Sequence, residues 1–124
     1  LQRLLKEKIG LELGAIQSLR PLKRGGSGRI SELEITGTQG RCVVGKELEI
    51  RKALSPSHLY SSAFVVEAQP AGAVPPESFR LRGAGWGHGV GLCQIGAAVM
   101  GAAGKDHTQI LLHYFRGAAL KKLY

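Results

Sequence analysis

The sequence predicts an α+β fold: an N-terminal helix, a small antiparallel β-sheet region through the middle, and two C-terminal helices packed on it. Three observations carry this expectation. Apolar residues recur at helical spacing at both ends of the chain. The section between them alternates apolar and polar residues in short runs split by turn residues. Strands and helices are segregated along the chain instead of interleaved, which argues against a parallel βαβ sheet. With 124 residues, 44% of them hydrophobic, the chain can build one core and is too short for two domains of ordinary size. It divides into a β-rich section over 19–82 and a glycine-rich motif with helices over 83–124.

In chain order, Leu1, Leu4, Leu5 and Ile9 fall on one helical face, and the helix should weaken at Gly10 and finish by Gly14. Strands are expected over 29–36, 41–44, 47–51 and 63–68, punctuated by Gly25-Gly26-Ser27-Gly28, Gly37-Thr38-Gln39-Gly40 and Ser55-Pro56-Ser57. Pro70 to Pro76 reads as a surface loop. Phe79 and Leu81 then alternate with Arg80 and Arg82 in a strand that delivers the chain into the glycine motif. After Val90 the period turns helical: Leu92, Ile95, Val99 and Met100 share a face, Gly96, Ala97, Ala98, Gly101, Ala102 and Ala103 form a close-packing small-residue surface, and Gly104 is placed to stop the helix. Either Asp106 or Thr108 caps the last helix, whose Ile110, Leu111, Tyr114 and Phe115 form a stripe expected to be buried. The end, 120–124, reads as a returning edge strand.

Glycine occupies every second position from Gly83 to Gly91, with Trp86 and His88 in the gaps. Interior glycine costs a helix or strand roughly 0.5–1 kcal/mol relative to alanine, so five of them at alternate positions need a compensating use. Read as extended chain, the run bares backbone on one side, so a polymer or a second strand could approach closely. A dinucleotide fingerprint needs G-x-G-x-x-G, and from Gly83, Gly85 or Gly87 the third glycine falls on His88, Val90 or Leu92. Gly40 to Lys46 imitates a phosphate-binding loop but continues with Glu47, a carboxylate where a magnesium-binding hydroxyl belongs.

A net charge of +8 suggests an anionic partner such as acidic glycan, anionic membrane surface or nucleic acid. The bases are spread along the chain, the largest group being Arg20, Lys23, Arg24 and Arg29, and no aromatic residue interleaves with them, so nucleic acid is not expected. No apolar run is long enough to span a membrane, and no signal-peptide pattern is present. The start, a helix already under way without an initiator methionine, reads as a piece of a longer protein. Cys42 and Cys93 could pair, stay free or bind metal, and sequence does not choose among these.

Gly85-Trp-Gly-His-Gly-Val-Gly-Leu-Cys-Gln-Ile-Gly-Ala97, followed by Met100, Gly104, Ile110 to Phe115 and a terminal Leu-Lys-Lys-Leu-Tyr, resembles the C-terminal part of the stage II sporulation protein D and amidase-enhancer family. Ser27-Gly28-Arg29-Ile30, Arg51-Lys-Ala-Leu54 and Ser61-Ser62-Ala-Phe64 are similar to that family's middle section, so the likeness covers nearly the whole chain. The resemblance implies an extracytoplasmic bacterial cell-wall protein, in the cell envelope or periplasm. Its partners would be peptidoglycan glycan strands and, in some relatives, a cell-wall amidase. It further implies lytic transglycosylase cleavage after N-acetylmuramic acid in stem-peptide-free strands. There one carboxylic acid protonates the glycosidic oxygen and then deprotonates the sugar's own 6-hydroxyl, giving a 1,6-anhydro product. The family's acid lies in a Glu-Met-Pro-like segment ahead of everything matched here, and these 124 residues contain neither that segment nor the upstream Arg-Thr-Tyr-like helix. They also lack the Cys-x-x-x-x-His-Cys stretch that holds zinc in some members.

The candidate substrate-binding residues are therefore Gly85, Trp86, Gly87, His88, Gly89 and Gln94, with His88 in a supporting catalytic role. His88 would hydrogen-bond substrate or orient the missing glutamate, or else is satisfied by backbone inside a tight turn. Trp86 is either a platform for a sugar ring or a core tryptophan over the sheet. Gln94 opens a helix and could meet glycan hydroxyls, with free N–H groups beside it for acetamido or carboxylate oxygens. A metal site combining His88 and Cys93 with Cys42 or His107 would have unpaired spacings, so no metal and no cofactor are expected. His58 and His113 read as structural, and Glu32, Glu34, Glu47 and Glu49 as solvated strand faces. Glu67 and Glu77 remain as in-chain acids. Two other readings stay open: a non-catalytic cell-wall-binding or amidase-activating module, and a purely structural assembly unit built on the Gly-Ala face and the strand edges.

Overall fold

The computed structural model of the chain describes residues 1–122 and shows the predicted α+β class. Two compact units follow one another, Leu1–His88 and Gly89–Tyr124.

The first unit opens with α1 (Gln2–Ile9), which buries Leu5 completely and stops at Gly10, where φ of 71° closes the last turn, four residues before the expected end. Strands β1 (Ile16–Arg24), β2 (Ile30–Gly37) and β3 (Gly40–Gly45) form one antiparallel sheet in that order. Only β2 is central, and its Ile30, Leu33 and Ile35 are fully buried. Strand β1 was not expected from the sequence. Its pairing with β2 slips near Ser18 and again between Pro21 and Arg24, so its apolar residues do not alternate cleanly. Pro21, which cannot donate to a ladder, is tolerated there because β1 is an edge.

The segment over 47–51, expected as a strand, is instead part of helix α2 (Glu47–Ala53). The alternation of Leu48 and Ile50 misled. The acids Glu47 and Glu49 stand in the first turn and the bases Arg51 and Lys52 in the last, matching the helix dipole, and Glu47–Arg51 and Glu49–Lys52 pair across single turns at 3.5 and 3.2 Å. Ile50, Ala53 and Leu54 make the buried face, with α2 packed against β2 and β3 and α1 against α2. Glu47 and Glu49 therefore belong to a helix, and Glu34 is largely shielded between Arg20 and Arg41 instead of lying on an open strand face.

Strands β4 (Phe64–Gln69) and β5 (Ser78–Gly83) form a second, two-stranded antiparallel sheet, so the expected single sheet is two. Phe64 is buried, and Arg24 of β1 donates to its carbonyl oxygen at 2.7 Å. The Phe64–Gly83 pair ends the ladder from which the glycine motif departs.

The second unit holds α3 (Gln94–Ala102) and α4 (His107–Tyr114). Asp106 is the cap of α4, in a reciprocal capping box with Gln109. Gly96 faces Tyr114, whose hydroxyl fills the space a Cβ would need, and Gly101 lies beside Ile110, so the small-residue surface of α3 serves the α3–α4 contact. The stripe on α4 is not buried: Ile110, Leu111 and Tyr114 are half-exposed and Phe115 is exposed. No strand forms over 120–122; Leu123 and Tyr124, also expected in that strand, lie outside the described residues. No helix among the described residues is long and apolar enough to cross a membrane.

Candidate functional site

The site in the first unit is built where the loop after α2 meets the start of the glycine motif. Arg51, 7% exposed, donates from Nε to Leu59 O, and its own carbonyl accepts from Leu59 N at 3.1 Å. This pins the residue before Tyr60. Tyr60 O in turn accepts from Gly87 N at 2.8 Å, and Ala63 O accepts from Ala84 N at 3.0 Å. From the other side Arg29, at the head of β2, donates from Nε to Gly87 O at 2.7 Å and from Nη2 to Trp86 O at 3.3 Å. Main-chain bonds and one guanidinium thus fix both strands of a crossing.

The consequence is an aromatic pair. Tyr60 and Trp86 stack with centroids 4.6 Å apart and planes 20° from parallel, yet remain 64% and 76% exposed. Trp86 is therefore not a core tryptophan. Two large rings packed on each other and left in water form a flat, amphipathic surface. Beside it a shallow cavity of about 190 Å³ is lined by Tyr60, Ser61, Phe64, Leu81 and the stretch Gly83–Gly85.

Gly83, the last residue of β5, is a glycine of close approach, since a Cβ there would run into Ala63 O and Phe64, but beyond it the glycine period has a different cause from an extended run. The motif is a loop in which Gly85 and Gly87 take φ of 86° and 76°, the left-handed region that side chains disfavour. At Gly85 a Cβ would also come within 3.0 Å of Arg29 Nη2, whereas at Gly87 it would meet open space. We expect Gly85→Val to lower stability by about 1–2 kcal/mol, Gly87→Val by somewhat less, and His88→Ala by close to nothing, as read from thermal melts. Equal melting temperatures for the three would overturn this account of the glycines.

Of the residues singled out from sequence, Gly85, Trp86, Gly87 and His88 stand together at the end of the first unit, and the His88 ring is exposed rather than locked in a turn. Gly89 and Gln94 belong to the second unit, where Gln94 is the exposed first residue of α3 and Cys93 caps it, Sγ accepting from Gly96 N at 3.4 Å. His58 is exposed in its turn, and His113 is exposed and edge-on to Tyr114. Glu67 is paired with Arg82 at 3.3 Å, and Glu77 lies beyond the Gln69–Ser78 end of the β4–β5 ladder, opposite the end that carries the motif. Both cysteines are free thiols, and burial pushes the Cys42 thiol up from its ordinary value. Among the described residues no three His, Cys, Asp or Glu side chains gather as metal ligands would.

Sequence reasoning missed Tyr60, and it missed the positioning parts of Arg29 and Arg51. Nothing local marks Tyr60, which follows a Ser-Pro-Ser turn and finds its partner only across the fold.

A pair of exposed, backbone-fixed aromatics on a small α+β scaffold is the candidate site. The chain belongs to the family described as "Domain of unknown function (DUF8618)", whose model matches residues 1–91. It is also 36% identical over 69 residues to an uncharacterized protein of Brachyspira hyodysenteriae, a match covering 56% of this chain and 17% of that relative, so the chain spans only a small part of the relative's length. No solved structure matches the chain.

Proposed function

We propose that this chain is a glycan-strand-binding part of an extracytoplasmic cell-wall protein related to the stage II sporulation protein D and amidase-enhancer family, and that its ligand is peptidoglycan. The exposed Tyr60–Trp86 stack carries this reading, because sugar rings bind by laying an apolar face on an aromatic one. His88, exposed and two positions along the chain from Trp86, supports the reading as a group that would hydrogen-bond a sugar hydroxyl. In the parent protein the strand would be cleaved after N-acetylmuramic acid to a 1,6-anhydro product by an acid supplied outside these residues. None of the nine acidic residues lies in the glycine motif, Glu67 is held by Arg82, and Glu77 lies at the wrong end of its ladder. The amidase-activating reading draws on one observation, the exposed Ile95 and Val99 of α3, which offer a protein partner apolar surface.

The test is sedimentation with stem-stripped peptidoglycan strands. The 124-residue chain should co-sediment and release no 1,6-anhydro products by mass spectrometry, and Trp86→Ala should lower binding at least about tenfold. Undiminished binding by Trp86→Ala would sink the platform. Released anhydro products would move the acid into this chain.

A further inference from the structure

We propose that the α3–α4 hairpin is a membrane-surface element: the outer face of α3 enters the headgroup region of an anionic lipid bilayer, and the bases around it meet the lipid phosphates. The proposal concerns the second unit alone and stands apart from the glycan-binding reading of the first. Composition is the first argument. Helix α3, over Gln94–Ala102, carries no charged residue, and none of its residues is buried. An uncharged, mostly apolar helix left in water lacks the charged face of an ordinary surface helix, so it needs a cover. Its outer side is well defined. Gly96 and Gly101 lie against Tyr114 and Ile110 of α4, whereas Ile95 and Val99, one turn apart, are 79% and 64% exposed, with Ala98 and Ala102 exposed on the same face.

Charge selects the cover. Residues 89–124 contain four Lys and Arg, namely Lys105, Arg116, Lys121 and Lys122, against one acid, Asp106, whose carboxylate accepts from Gln109 N as the α4 cap. Among the described residues none of the four bases has an acidic partner. An exposed apolar face with unpaired bases following it in the chain complements a bilayer, whose surface is anionic and whose acyl boundary is apolar. Length sets the depth: nine residues rise about 14 Å, whereas a span takes about 20 residues, so α3 lies in the surface and does not cross. A second copy of the chain is a poorer match. One face of a nine-residue helix falls far below the ~1,200 Å² that stable partners bury, and two such units bring like charges together.

The experiment is flotation of the 124-residue chain with glycan-free vesicles, either pure phosphatidylcholine or phosphatidylcholine and phosphatidylglycerol in equal parts. The chain should bind the anionic vesicles at least about tenfold more tightly, since each base near such a surface is worth about fivefold, and the difference should fade as salt rises. Ile95→Gln with Val99→Gln changes no charge and no buried side chain, so it should lower that affinity at least about tenfold while the melting of the first unit, followed at Trp86, holds. Ile95→Leu with Val99→Leu keeps the apolar surface and should bind as tightly as the unaltered chain. Equal binding to both vesicles would overturn the proposal. Binding that the Gln pair leaves intact would do the same, by reducing it to the general attraction of a +8 chain. A dimer in analytical ultracentrifugation that the Gln pair dissolves would give the face to a second copy instead, and no vesicle binding at all would leave it to a protein partner. None of these outcomes touches glycan binding, which Trp86→Ala tests separately.

Discussion

Replacing Arg51 with methionine is expected to lower the unfolding free energy by roughly 3 kcal/mol, the range for removing one partner of a buried charged pair. The side chain is 8% exposed and its partner Glu47, 3.5 Å away, only 21%, so the carboxylate left behind has little water to turn to. The Leu59 carbonyl loses its donor as well. Methionine fills similar volume, which separates lost polar contacts from a cavity. Urea unfolding checks this: a midpoint shift worth less than about 1 kcal/mol would place the pair with ordinary surface ion pairs. The damage should reach the site, because Leu59 immediately precedes Tyr60, and the residual folded protein should bind glycan more weakly than its folded fraction predicts.

How much of this was legible in the sequence depends on the range of the forces involved. Helix α1, strand β2 and the α4 cap follow from neighbours within a turn or a pleat, so the sequence shows the first two and narrows the cap to Asp106 or Thr108. Helix α2 was hidden because Leu48 and Ile50 alternate like a strand, while the evidence for a helix lay in charge pairs three and four residues apart. Strand β1 was hidden by its irregular register. At the site, Trp86 and His88 were visible because glycines isolate them, but the reason for the glycines was not, since a left-handed φ leaves the same residue pattern as close approach. Tyr60 and Trp86 are far apart in sequence and meet because main-chain bonds join their segments and Arg29 and Arg51 hold nearby backbone carbonyls. An arginine that bonds a carbonyl looks in the sequence like any other charge.

Arg29→Met should therefore loosen the aromatic pair without unfolding the protein. The guanidinium holds the Trp86 and Gly87 carbonyls, and a methionine offers no donor to either. Two hydrogen bonds from a charged group are together worth enough to reduce glycan affinity about tenfold. The melting point should fall less than in Arg51→Met, because Arg29 is half-exposed and leaves no buried acid behind. Loss of a positive charge would also weaken attraction to an anionic wall, so the ligand should be a neutral N-acetylglucosamine trimer, for which that attraction is absent. The chain has one tryptophan, and it sits in the stack, so near-ultraviolet circular dichroism and tryptophan emission report its geometry without any ligand. Both should shift toward a free, solvated indole. Arg29→Lys keeps the charge but presents a single ammonium that cannot span two carbonyls in a fixed fork, so it should recover part of the affinity and part of the spectrum together. Unchanged spectra with reduced binding would make Arg29 a direct ligand contact; unchanged spectra and unchanged binding would remove it from the site altogether.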